Sequence, residues 1–175
     1  MRYVALLRGI NVGGNTMIKM EGLRKMFEGL GFRNVASYIN SGNLAFDSRK
    51  TAEEKLIAKI EKAIERNFGK KVAVMMRTQD EIRDILGRNP FEGQFESHKE
   101  MHVLFMNDQM PAEKKALLIE KQTEDERFFV DGREIFCHLR LGVADSLLGK
   151  GFIDKKLKVP ITGRNWRTVE MIAAL

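Results

Sequence analysis

A chain of 175 residues whose one cysteine is Cys137 can form no internal disulfide, which fits a reducing cytoplasm better than an oxidising compartment. Its 43% hydrophobic and 31% charged residues exclude wholesale disorder, and no apolar run approaches the ~18 residues of a membrane span, so the sequence reads as soluble and cytoplasmic, with no membrane partner. The formal charge of +6 is uneven, with 15 Lys/Arg against 7 Asp/Glu from Met1 to Arg77 and 15 against 17 from Thr78 onward.

In chain order, Tyr3–Arg8 reads as a buried strand and is followed by a glycine-bearing loop. Met20, Leu23, Met26, Phe27 and Leu30 then recur at helical spacing, with Gly31 placed to stop the helix. Residues 34–40 and 43–47 are short strand candidates around the turn Ser41-Gly42. Thr51 and Glu54 have the spacing of a capping box, opening a helix whose apolar stripe runs Leu56, Ile57, Ile60, Ala63, Ile64 and Phe68 before Gly69 ends it. A strand over 71–77 completes βαββαβ, the ferredoxin-like order.

The second half repeats the plan imperfectly. Thr78 and Glu81 form another capping box at the start of a connecting helix, and Asn89-Pro90 and Gly93 make 78–100 the best linker. A strand is expected over 101–106, then a helix from Pro111 to about Lys121. Strands over 127–130 and 134–139 flank Asp131-Gly132, a strong hairpin signal. The run 147–158 reads as helical with a break near Gly149–Gly151, and a short helix ends the chain. No sixth strand is evident before it. The expected fold is therefore α+β: a ferredoxin-like subdomain at 1–77, a connection at 78–100, and a second subdomain at 101–175 that lacks its final strand and ends in a short helix.

Three loops carry the residues of interest. In Arg8–Asn15, between strand and helix, glycines could let backbone N–H groups reach an anion beside a helix start; the alternative is a tight turn needing positive φ at Gly13 or Gly14. Arg8 and Asn11 are the side chains not required for turning. In Tyr38–Asn43, Ser41 and Asn43 either contact a ligand or bond their own turn. In Thr162–Arg167, Arg164 and Arg167 beside Trp166 could bind phosphate and stack on a base, with Asn165 between them; otherwise Trp166 docks the terminal helix while the arginines pair with acids.

Catalytic chemistry has little support. The first loop matches neither G-x-x-x-x-G-K-[ST] nor G-x-G-x-x-G, so no cofactor is expected. His98 and His102 stand four apart without a cysteine to complete a set, so no metal is expected. Cys137 reads as a buried structural cysteine, and no acid–base pair stands out.

At residues 7–15 (LRGINVGGN), 38–43 (YINSGN) and 163–168 (GRNWRT) the chain resembles the bacterial family known as domain of unknown function 1697. The resemblance runs over nearly the whole chain and implies ferredoxin-like subdomains. It implies no activity, substrate or cofactor. Arg8, Asn11, Gly13, Gly14, Ser41, Gly42, Asn43, Arg164, Asn165 and Trp166 sit within the resembling motifs; at Asn40 members usually carry Gln.

The charge pattern and these loops favour a binding module for an anionic ligand, nucleic acid or a nucleotide. An RRM-type sheet would need an RNP1 pattern that neither 43–47 nor 71–77 supplies. The alternatives are an enzyme on a small phosphorylated or carboxylated metabolite, with Arg8 and Arg164 as clamps and Asn11, Ser41 and Asn43 orienting it, or a non-catalytic interaction protein.

Overall fold

The computed structural model describes residues 1–175, and the chain divides into two compact units, Met1–Ile85 with Met171–Leu175, and Leu86–Glu170. No helix is long and apolar enough to cross a membrane.

The first unit contains β1 (Arg2–Leu7), α1 (Met20–Gly29), β2 (Arg33–Tyr38), β3 (Asn43–Asp47), α2 (Glu53–Phe68) and β4 (Val74–Thr78), and α3 (Gln79–Gly87) begins in it. Its four strands are antiparallel in the order β2-β3-β1-β4, the ferredoxin-like arrangement. The apolar stripes of α1 and α2 bury Met20, Leu23, Met26 and Phe27, and Leu56, Ile60, Ala63 and Ile64, in one core with Tyr3, Ala5, Leu7, Leu44, Phe46, Val74 and Met76. Alternation along the strands puts those sheet residues on one face. Phe46 lies at the centre of an aromatic cluster, 4.3 Å from Phe32 and 5.4 Å from Phe27 between ring centroids. Gly31 ends α1 as expected: its N–H reaches the Glu28 carbonyl while the Phe32 N–H reaches that of Phe27, the paired bonds of a Schellman stop.

The second unit repeats the topology. It contains β5 (Met101–Phe105), α4 (Ala112–Glu120), β6 (Glu126–Asp131), β7 (Glu134–Leu139) and β8 (Thr162–Asn165), in the sheet order β6-β7-β5-β8, and α5 (Trp166–Ala173) begins in it. Leu104, Met106, Leu118, Phe128, Val130, Ile135, Cys137 and Leu139 build its core on one face. The segment after α3 crosses the other face: Arg88 bonds Asp131 and Glu134 and lies over the Phe136 ring, while Phe91 meets His138 and Phe95 meets Trp166. A one-turn 3-10 helix at His98–Glu100 leads into β5.

The α+β class is the one read from the sequence, and the structure gives it as two four-stranded antiparallel sheets, but several details differ. The second sheet does not lack its final strand: Thr162–Asn165 is β8, paired with β5 from His102↔Asn165 to Phe105↔Thr162. Four residues that include Gly163 and Arg164 have little strand propensity of their own, so only pairing defines the strand. The 147–158 run is not a helix; glycines 149 and 151 break it, and a single π turn survives at Phe152–Lys156. The first hairpin closes at Tyr38↔Asn43 with the four-residue loop 39–42 rather than two, because Ile39 and Gly42 both take positive φ. Thr51 forms no capping box; its hydroxyl donates to the Arg49 carbonyl and α2 starts after Ala52. Pro111 precedes α4 as its N-cap residue rather than opening it.

Candidate functional site

The β1–α1 loop folds around one side chain. Asn11 takes φ +54°, a region Asn tolerates better than most residues, and its amide holds three points of the chain. Nδ2 donates to the Ile18 carbonyl at 2.9 Å and to the Asn40 carbonyl at 2.7 Å, while Oδ1 accepts from the Ile18 N–H at 2.7 Å. The Asn11 N–H bonds Thr16 O and the Asn15 N–H bonds Val12 O, so 11–16 form a small closed loop. At its tip Gly13 and Gly14 are exposed with φ +57° and +77° and open space where a Cβ would stand. Arg8, at the base, is half-buried.

The Tyr38–Asn43 loop packs beneath it. Gly42 lies so close to β1 that a Cβ would stand 2.8 Å from both Leu7 Cβ and Ile10 Cδ1, and its carbonyl accepts from the Leu7 N–H at 2.9 Å. Asn43 is fully buried, its Nδ2 donating to Tyr38 O and to the half-buried Ser41 Oγ, both at 3.0 Å. The structure thus brings together the first two motifs, with Asn11 as the tie between them.

The third motif lies in the second unit, on β8 and the start of α5. Arg164 is 5% exposed; Nη1 donates to Thr162 Oγ1 at 2.7 Å and to Gly163 O at 2.9 Å, and burial lowers its pKa to about 10, so it stays charged at neutral pH. Asn165 Oδ1 accepts from the Thr168 N–H at 2.9 Å and caps α5. Trp166 is buried edge-on against Phe95, and Arg167 is exposed.

Residues 1–136 match the model of the family described as "Protein of unknown function (DUF1697)". The chain belongs to the DUF1697 family. A solved structure similar to this DUF1697 chain is the conserved bacterial protein SP0830 from Streptococcus pneumoniae, with 26% identity, a TM-score of 0.75 and coverage of 99% of this chain and 97% of that one. No curated protein matches the sequence. The matched span holds the two joined loops, and the 163–168 motif falls outside it.

Elsewhere in the DUF1697 chain, Cys137 is buried and its thiol pKa is pushed well up by desolvation, which suits packing rather than attack. His98 pairs with Glu170 at 2.8 Å. His102 is lowered to about 4 by burial, and its Nδ1 has no hydrogen-bond partner. No group of three or more His, Cys, Asp or Glu side chains is placed to hold a metal. Sequence reading missed the exposure of Val12, next to Asn11, and of Met17 and Ile39, next to its partners Ile18 and Asn40. Apolar type alone does not reveal exposure at a loop tip.

Proposed function

We propose that this chain is a cytoplasmic binding module for an anionic ligand, single-stranded nucleic acid being the favoured class, and that it binds through the β1–α1 loop. The observation that carries the reading is the partition of charge. The first unit holds 16 Lys/Arg against 10 Asp/Glu, while the second holds 14 against 14, so the whole excess of +6 lies in the unit that carries the loop. A positive field raises the local concentration and capture rate of a polyanion. The bare N–H groups around Gly13 and Gly14 supply donors that Asn11 holds in place. Arg8 supplies a charge at the base of the loop, and Ser41 and Asn43 support it from below.

Among the third motif, exposed Arg167 alone is available to a ligand at the surface; Arg164, Asn165 and Trp166 serve the second sheet and α5. The enzyme reading loses support for the same reason, since its clamp Arg164 and its orienting residue Asn43 are both buried and internally bonded. A protein-interaction role draws on one observation, the exposed Val12, Met17 and Ile39 beside the same loop.

Fluorescence anisotropy of mixed-sequence single-stranded RNA and DNA at about 50 and 200 mM salt tests the proposal. Neutralising six phosphates makes affinity fall ~10³-fold or more over that range. Binding with that salt dependence, weakened in Arg8→Ala, supports it. Absence of binding, or binding indifferent to both salt and Arg8→Ala, overturns it.

A further inference from the structure

At the end of the first sheet away from these loops, a separate group of cations lines a hollow. The register Arg33↔Asp47↔Arg2 marks that end, whereas Tyr38↔Asn43 and the Leu7–Gly42 bond mark the other, so about five residues of strand, ~17 Å, separate them. The hollow has a volume of about 420 Å³, and Phe32, Arg33, Asp47, Ser48, Arg49 and Lys59 line it. Four chain segments meet there: the end of α1, the start of β2, the end of β3 and the middle of α2.

The charges around it do not cancel. Asp47, the carboxylate of the lining, is already held by Asn34 Nδ2 at 2.7 Å and Arg2 Nη1 at 2.9 Å, bonds that lower its pKa. Arg2 is spent on Asp47 and on the carbonyls of Asn34 and Leu175. Arg33 and Arg49 are exposed, and their guanidinium groups form no ion pair or hydrogen bond. Lys59 Nζ donates to Leu30 O at 3.0 Å, at the carbonyl end of α1, and lies 5.2 Å from the Phe32 ring centroid. Its ammonium offsets the negative end of the helix that would otherwise repel an anion there, and keeps donors to spare. The basic hollow of the second unit differs: there Arg140 pairs with Asp125, and Arg127 is spent on Gln94 and His138.

We propose that this hollow is a binding site for the phosphoryl group of a small ligand of the phosphomonoester or diphosphate class, held by Arg33, Arg49 and Lys59. Two free guanidinium forks match phosphate oxygens two at a time, and three cations match the charge of a phosphoryl dianion better than that of one carboxylate. The volume exceeds that of the anion alone and lies in the range of small-molecule sites, leaving room for an organic part. The site is independent of the loop reading above.

Calorimetric titration of the full chain with inorganic pyrophosphate at about 50 mM salt tests it. The expected result is saturable one-to-one binding, weakened about tenfold or more in Arg33→Ala and in Arg49→Ala and unchanged in the distant surface variant Lys121→Ala. Arg49→Gln serves where the alanine variant fails to fold. No saturable heat, or equal binding in all variants, overturns the site. Measuring RNA on the same proteins separates the two proposals. Pyrophosphate bound without RNA sinks the loop reading alone, and RNA bound without pyrophosphate sinks this one alone.

Discussion

One amide side chain, Asn11, holds the β1–α1 loop, the approach to α1 and the Asn40 carbonyl together, so the joined loops depend on single residues. Gly42 is the least replaceable. An alanine there would have to keep φ +88° and stand 2.8 Å from Leu7 and Ile10. Gly42→Ala is expected to lose roughly 2–4 kcal/mol in urea denaturation, combining strain with overpacking. His102 sets a pH dependence. Neutral in the folded protein down to about 4, it takes up a proton near its ordinary 6.5 once unfolded. Acid therefore favours unfolding, and stability falls as pH drops from about 6.5 toward 4, by up to about 3 kcal/mol from this group. The difference between wild type and His102→Leu in urea midpoint, measured at pH 7 and pH 4.5, isolates that share; a constant difference would rule it out.

Among the elements, the two capping-box patterns have opposite fates, although each has the same residue types at the same spacing. At α3 the box forms: Thr78 Oγ1 accepts from the Glu81 N–H at 3.2 Å, and Glu81 Oε2 accepts from the Thr78 N–H at 2.7 Å. At α2 the Tyr3 hydroxyl takes the Thr51 N–H and Thr51 turns its own hydroxyl to Arg49, so the helix starts later. Thr78→Ala is expected to cost ~1 kcal/mol, and Thr51→Ala less than half of that, in the same thermal or urea titration. Strand β8 makes the same point for sheets. Its residues carry no alternation that the eye can find, and Leu104↔Gly163 and Val103↔Arg164 pairing is what makes them a strand.

For the whole molecule, the last five residues belong to the first unit, far from it in sequence. Gln79 Nε2 donates to the carbonyls of Ile172 and Ala173, Arg83 Nε to Ala173, and Arg2 Nε to Leu175. Ending the chain at Glu170 removes all four bonds and strands the buried Gln79 amide. That truncation is expected to destabilise the protein by roughly 3 kcal/mol or more, with the midpoint in urea falling accordingly. An unchanged midpoint would show these contacts to be incidental.

The sequence by itself determined the class and most of the elements, because helical stripes such as Leu56–Ile60–Ala63–Ile64, stops such as Gly31 and hairpin glycines act over a few residues. It also marked out the residues of the joined loops and offered local turn bonding for Asn43, though not the bonds by which Asn11 ties the two loops together. Only the tertiary structure decided the rest. Arg164 reads from sequence as either a phosphate ligand or a partner of acids, and the second sheet buries it; Arg33, Arg49 and Lys59 are scattered along the chain and unremarkable there, yet one hollow gathers them. Burial and charge compensation depend on neighbours brought from distant segments, and no local pattern encodes them.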